Sequence, residues 1–406
     1  MPLIEPYKGV RDFYPEDQRI QNHIFAAMRT AVESFGYEEM NASILESTDL
    51  YRSKTSEEIV NEQTYTFLDR GERSVTLRPE MTPTVARMVA AKRRELGMPL
   101  RLYSIQNFFR YERPQRGRLR EFWQLNADLF GVAGVEADIE AIEVAYRVMK
   151  QLGAKDDMFT VRVNSRKLLY DLYEPIVTGE RTIEHVFSLL DRKGKMSREE
   201  FEKVWEKDFG HPFTEAETAH SPRLQAVFDA LRAKGIPIVF DPHIVRGFTY
   251  YTDLVFEVYD TNPENARSLF GGGRYDKLIS QYGGEDTPAV GFAMGDVPAR
   301  DFLETHNLLP HLHSTAMLYL APVAEKDAEH ASRLADSLRE KGVNVALGMK
   351  HTKIGDHVKA AVKLGVRYFI AYGEEEQKSG TVTLKELSTQ KEEKISLDNL
   401  ASRLLS

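Results

Sequence analysis

The chain has 406 residues, 42% hydrophobic and 29% charged, with 54 Lys+Arg against 62 Asp+Glu for a net charge of −8. Ample apolar material predicts a globular protein of two to three domains, and the absence of cysteine excludes disulfides, thiol nucleophiles and cysteine metal sites. No apolar run is long enough for a membrane helix, and the opening MPLIEPYKGVRDFYPEDQ has no signal-peptide core, so the expectation is a cytoplasmic protein without a membrane partner.

Ile20, Ile24, Met28, Val32 and Phe35 recur at three- and four-residue steps and predict a helix over 18–35, stopped by Gly36. Residues 64–78 read as two strands around the turn Asp69-Arg70-Gly71-Glu72. Residues 82–96 read as a helix whose basic end, Lys92-Arg93-Arg94, suits the macrodipole. Six arginines and a single acid, Glu112, then fall between Arg101 and Arg120. Arginines alternate there with aromatics, which predicts an antiparallel hairpin with one row of side chains facing a pocket. The polar run Gln124, Asn126, Asp128 follows, and then a helix over 133–152. Residues 166–235 are helical in pattern, highly charged and poor in strand signals, as expected of an inserted module. Strands resume at Ile236, with a strong strand signal from Thr249 to Asp260. The runs Gly271-Gly272-Gly273 and Gly283-Gly284 mark turns or close backbone approach. After the break HNLLPHLHST, strands and helices alternate from Ala316, predicting a small, largely parallel sheet covered by helices.

Four segments carry candidate chemistry, and each has a plainer reading. Glu80 in TLRPEMT sits at a strand-to-helix junction, where an acid also serves the helix dipole. The arginine hairpin fits bidentate phosphate binding or a solvated strand pair with surface ion pairs. In VRGFTYYT, adjacent tyrosines on a strand face opposite sides, so only one of Tyr250 and Tyr251 should line a given cavity. GGGRYDKL could cradle a phosphate but lacks the order of a P-loop, and a tight turn explains it as well. The 11 histidines do not pair at metal-ligand spacing, so no protein metal site is expected.

Taken in order, KGVRDFYPED, LRPEMT, FRYERPQRGR, VRGFTYY, GGGRYDKL, PAVGFAMG, AYGEEE and GTVTLKEL resemble the histidyl-tRNA synthetases, class II aminoacyl-tRNA synthetases, over nearly the whole length. The resemblance implies an α+β fold: an antiparallel sheet flanked by helices, a helical insertion and a C-terminal α/β anticodon-binding domain. The corresponding segments are 1–165 and 236–313 for the catalytic core, 166–235 for the insertion and 314–406 for the last domain. It implies a homodimer that activates histidine with ATP and Mg2+ and transfers it to the 3′ end of tRNA-His. Carried over by motif, Arg110 would bind the ATP α-phosphate, with Glu112 and Arg118 placing the triphosphate and adenine. Glu80 and Thr82 would hold the histidine α-amino group, with Gln124 nearby. Arg246 would sit by the reacting carboxylate. Asp128 and Tyr251 would face the imidazole, with Tyr250 and Tyr275 lining the pocket. Arg113, Arg116 and Arg120 would fall where the family meets the tRNA acceptor end.

The sequence departs from the family pattern at three places. Ser43 replaces a proline of the dimer-forming motif, and Asp128 replaces the usual glutamate. Gly295-Asp296-Val297-Pro298 stands where Gly-x-Glu-Arg is usual, so Pro298 occupies the place of the arginine that caps the purine, and Arg300 lies two residues on. The alternative implied by the resemblance is a catalytically silent paralogue, like the histidine-sensing regulatory subunit of ATP phosphoribosyltransferase. That regulator lacks the C-terminal domain this chain has.

Overall fold

The computed structural model describes residues 4–52, 63–178, 181–193, 196–217, 221–245, 250–265, 267–350 and 353–406. Its strands, in chain order, begin with β1 (Glu38–Glu39), β2 (Leu45–Ser47), β3 (Tyr65–Leu68), β4 (Ser74–Leu77), β5 (Leu100–Phe109), β6 (Glu121–Phe130), β7 (Phe159–Ser165) and β8 (Ile238–Phe240). There follow β9 (Leu254–Asp260), β10 (Ser268–Arg274), β11 (Ala289–Gly295), β12 (Leu318–Pro322), β13 (Val345–Leu347), β14 (Tyr368–Tyr372), β15 (Thr381–Glu386) and β16 (Glu392–Ser396). The chain divides into two units, Met1–Leu309 and Pro310–Ser406.

An eight-stranded sheet in the order β1-β5-β6-β11-β10-β9-β7-β8 organises the first unit. Only its edge pairs, β1 with β5 and β7 with β8, are parallel. The helices Pro15–Glu33 and Val135–Gln151 bury Ile24, Met28, Ile142 and Val148 against one face. On that face β6 contributes Leu125, Ala127 and Leu129. The other residues of β6, Gln124, Asn126 and Asp128, therefore turn to the opposite face. There the helix Thr82–Lys92 packs Met81, Val85 and Val89 with Tyr250, Tyr251 and Tyr275. A three-stranded sheet, β2-β4-β3, leaves Leu45, Phe67 and Leu68 exposed.

The described residues of 166–235 are mainly helical, as the sequence predicts, because each α-helix has its own start signal. Ser165, Thr182, Ser197 and Ser221 accept the backbone N–H three residues on, capping the helices Arg166–Tyr173, Ile183–Arg192, Arg198–Phe209 and Pro222–Ala233. The third has a full capping box with Glu200 and stops at Gly210, whose φ is +70°. Trp205 is wholly buried at the centre of this segment, its ring 4.7 Å from Phe209 and 4.9 Å from Phe213.

The glycine run 271–273 is not a turn. It lies inside β10, between β9 and β11. The backbones crowd there: a Cβ on Gly272 would fall on the Gly291 carbonyl and on Phe292 of the neighbouring strand. Gly272→Ala is expected to cost about 3 kcal/mol, since neither obstacle is a flexible side-chain end. A denaturation midpoint equal to that of the unaltered protein would show that the strands can part.

The second unit carries the sheet β13-β12-β14-β15-β16. Strands β12, β13 and β14 are parallel, and β14-β15-β16 run antiparallel. The expected parallel character stops at β14 because the connections that follow are short. Only the helix Glu374–Ser379 separates β14 from β15, and a parallel crossover needs roughly a dozen residues.

Candidate active site

The motif residues converge on one cavity of about 480 Å³ in the first unit. Its lining includes Glu80, Thr82, Arg110, Glu112, Arg118, Gln124, Asp128, Tyr250, Tyr251 and Tyr275. Arg246, expected beside the reacting carboxylate, lies outside the described residues.

Its floor is β6. Gln124, Asn126 and Asp128 project from one face at two-residue spacing. Asn126 is 2% exposed. Among the described residues, neither Asn126 Oδ1 nor Gln124 Oε1 has a hydrogen-bond partner, although buried polar atoms are nearly always paired. Asp128 lies opposite Gly291 of β11, and any Cβ at Gly291 would collide with the Asp128 carboxylate. Glycine there makes room for the acid. The Tyr275 hydroxyl donates a short hydrogen bond to Asp128. Burial pushes the Asp128 carboxyl up to about 7, against the opposing pull of that bond. Burial, reinforced by the carboxylate, drives Tyr275 well above the ordinary phenol range.

Glu80 is 3% exposed and accepts a 3.1 Å hydrogen bond from Tyr250. It thus faces the cavity instead of serving only the helix that follows. The turn carrying it is clamped to the end of β5. Arg78, 1% exposed, donates to the carbonyls of Asn107 and Ala42, each at 2.9 Å, and its own carbonyl accepts from Phe109 N. Arg110 Nε donates to the Pro79 carbonyl at 2.9 Å, and its guanidinium lies 5.4 Å from the Phe122 ring centre.

The hairpin exists, but its arginines are mostly not on its strands. Strands β5 and β6 pair from Leu100↔Phe130 to Phe109↔Glu121, and Arg110 to Arg120 form the connecting loop. Alternation with aromatics predicts strand, but Pro114 and Gly117 make the segment a loop. Arg118 reaches toward Glu112 at 3.5 Å. Arg116 and Arg120 hold the loop itself. Arg116 pairs with Asp301 at 2.9 Å, and Arg120 stacks 4.0 Å over Tyr111 and donates to Tyr7.

Both tyrosines of VRGFTYY line the cavity, against the expectation of one. Strand β9 starts only at Leu254. Tyr250 and Tyr251 precede it on a turn that Thr252 N anchors to the Arg274 carbonyl at 2.7 Å. Strand alternation does not apply to them, and their rings lie tilted against each other with centroids 4.8 Å apart.

Comparison with known proteins agrees with this geometry. The family model for histidyl-tRNA synthetase matches residues 9–208 and 209–296, and an anticodon-binding domain model matches 318–406. A histidine–tRNA ligase of Leptospira biflexa is 40% identical over 95% of this chain and 93% of its own.

The chain belongs to the histidyl-tRNA synthetase family.

A histidine–tRNA ligase of Thermoplasma volcanium is 36% identical over 98% of this chain and 97% of its own. The crystal structure of histidyl-tRNA synthetase from Nostoc sp. PCC 7120 superposes with a TM-score of 0.84 at 20% identity, covering 100% of this chain and 99% of that one; this likeness speaks to the fold.

The departure from the histidyl-tRNA synthetase pattern after Gly295 has a structural counterpart. Asp296 is fully buried and accepts from Arg11 at 2.6 Å, Gln21 at 2.9 Å and Trp123 N at 2.9 Å. Pro298 and Val297 line the cavity. Arg300 does not: its guanidinium pairs with Asp17 at 2.9 Å and Glu304 at 2.8 Å. Sequence reasoning also missed Asn126, Glu257, Phe122 and Phe270 as lining residues. Glu257 left a signal, an acid in the middle of the otherwise apolar run LVFEVY. Phe122 and Phe270 left none, since aromatic residues in strands usually mark core.

Proposed function

We infer that this protein is a histidine–tRNA ligase, which joins histidine to ATP as histidyl-adenylate with release of pyrophosphate and then passes histidine to the 3′ end of tRNA-His. One observation carries the reading: 40% identity to a histidine–tRNA ligase over 95% of a chain whose cavity gathers Glu80, Asp128 and Arg110. The carboxylate of histidine attacks the ATP α-phosphorus and pyrophosphate leaves. Two anions must meet, so catalysis rests on fixed cations and positioning. We propose Arg110 for the α-phosphate, Arg246 for the reacting carboxylate, and Glu112 and Arg118 for placing ATP. Glu80, Thr82 and Gln124 are proposed for the α-ammonium group, and Asp128, Tyr250, Tyr251 and Tyr275 for the imidazole side. The Glu80 carboxylate suits a cation, and a polar pocket around imidazole rejects apolar analogues.

Mg2+ bound with ATP would neutralise phosphate charge. The carboxylates of Glu112 and Glu257 in the same cavity are hard oxygen donors of the kind it takes. A homodimer is proposed from the family, supported by the exposed Leu45, Phe67 and Leu68 of the small sheet. A cytoplasmic place of work goes with tRNA charging. No helix among the described residues is long and apolar enough to cross a membrane. No observation favours the regulatory alternative.

The test is ATP–pyrophosphate exchange on the purified protein, followed by charging of tRNA-His. Exchange is expected with histidine and not with the other amino acids. Histidine binding without exchange would overturn the ligase reading.

A further inference from the structure

Arg274 of the GGGRYDKL motif does not touch the cavity. It is 1% exposed and points to the opposite face of the sheet from its neighbour Tyr275. There its Nε donates at 2.8 Å to Asp138, which is fully buried at the start of the helix Val135–Gln151. Its other nitrogens reach the carbonyls of Val132 and Gly134 and the carboxylate of Asp276, each at 3.1 Å. A second guanidinium completes the cluster. Arg223, in the first turn of the helix Pro222–Ala233, donates to Asp138 Oδ2 at 2.6 Å and to the carbonyls of Ala133 and Gly134 at 3.1 Å. It also lies 3.6 Å from Asp253, which accepts a 2.5 Å hydrogen bond from Ser165.

The places these contacts hold are the roots of the pocket. Val132 to Gly134 follow β6, which carries Asp128. Arg274 immediately precedes Tyr275, the donor to Asp128. Asp253 stands two residues after Tyr251. A buried carboxylate bridging two guanidiniums has one good arrangement, since removing either partner leaves charge unpaired in a low-dielectric setting. It is therefore a rigid reference point shared by the three chain segments.

We propose that Arg223 is a positioning residue for the amino-acid pocket: through Asp138 and Asp253 it sets the placement of Tyr275, Tyr250 and Tyr251, so that the helical segment 166–235 tunes histidine affinity without touching the ligand. The proposal rests on the histidine reading of the cavity. The histidine affinity of the unaltered protein tests that reading, and the ratio of variant to unaltered protein tests this one.

Arg223 is the member to change, since its side chain is 27% exposed whereas Arg274 and Asp138 are sealed. In Arg223→Gln, the histidine Kd by calorimetry and the histidine KM in pyrophosphate exchange should both rise about tenfold, with the ATP KM within about twofold of the original. Arg223→Lys should restore part of the loss. An unchanged histidine Kd with a lowered melting temperature overturns the proposal, because a purely structural tie has that signature. So does an equal rise in both KM values. If Arg223→Gln is recovered insoluble, Asp253→Asn substitutes for it, leaving Asp138 doubly paired. Its histidine Kd should rise about threefold, and no change in it overturns the proposal.

Discussion

Arg110→Ala is expected to slow histidine-dependent pyrophosphate exchange by about 10³-fold while leaving the histidine Kd within about threefold of its original value. Arg110 is the first residue past β5. Its backbone N–H is held by the Arg120 carbonyl at 2.9 Å and its Nε by the Pro79 carbonyl at 2.9 Å. Its side chain is only 17% exposed, so solvent screens it little. In the role proposed for it, a guanidinium fixed in this way would need no reorganisation when negative charge gathers on the α-phosphate oxygens. That makes its contribution larger in the transition state than in the ground state. Arg110→Lys should recover little, because an ammonium reproduces neither the Nε anchor nor the planar fork. Single-turnover exchange with calorimetric histidine binding checks both halves. Losses of equal size in rate and in histidine affinity would assign Arg110 to histidine instead.

Asp128→Asn should lower kcat/KM for histidine about 100-fold, or ~3 kcal/mol, the scale of a hydrogen bond to a charged group. The asparagine can still accept from Tyr275, so the pocket keeps its shape and the loss reports on the charge at position 128, as its proposed place beside imidazole requires. The same variant should change the pH dependence of stability. In the folded protein the carboxyl titrates near 7 because it is buried, whereas in the unfolded chain it titrates near about 4. Between those values the folded state holds a proton that the unfolded state has lost. Its contribution to stability is therefore complete below about pH 4 and is lost as pH rises through about 7, by on the order of 4 kcal/mol. Asparagine has nothing to ionise, so the variant should lack this slope. Denaturation midpoints of the ligand-free proteins at about pH 5 and about pH 8 measure it. Parallel pH profiles would mean that Asp128 is ionised throughout and that something else compensates its burial.

Much of the site could be read from local pattern. Gln124, Asn126 and Asp128 alternate with Leu125, Ala127 and Leu129, and a strand must send the two sets to opposite faces. A polar row at the centre of a sheet with an apolar row behind it marks a site floor. The helical character of residues 166–235 is equally legible, and the structure shows its local cause in the caps Ser165, Thr182, Ser197 and Ser221. So was the pairing of the chain stretches around the arginine loop, although the alternation of arginines with aromatics masks the loop that Pro114 and Gly117 impose.

Other features were not local. Both Tyr250 and Tyr251 line the cavity because Thr252 is tied to Arg274, a residue distant in sequence. Strand propensity at TYYTDLVFEVYD carries no trace of that tie. The role of Gly291 depends on the strand opposite, where Asp128 needs its space. Arg300, two residues past the place of the missing third-motif arginine, is held away from the cavity by Asp17 and Glu304, partners that its local sequence does not specify.

By itself the sequence determined the family, the main helices and strands and most of the charged and tyrosine residues that gather at one cavity, because motif order, periodicity and capping act over a few neighbouring positions. Only the tertiary structure decided which arginines line the cavity and which hold the loop or the sheet, and which tyrosines line it. It also decided that Asp128 is buried deeply enough to titrate near neutrality. The physical reason is common to all three: charge pairing and desolvation depend on groups brought together from distant parts of the chain.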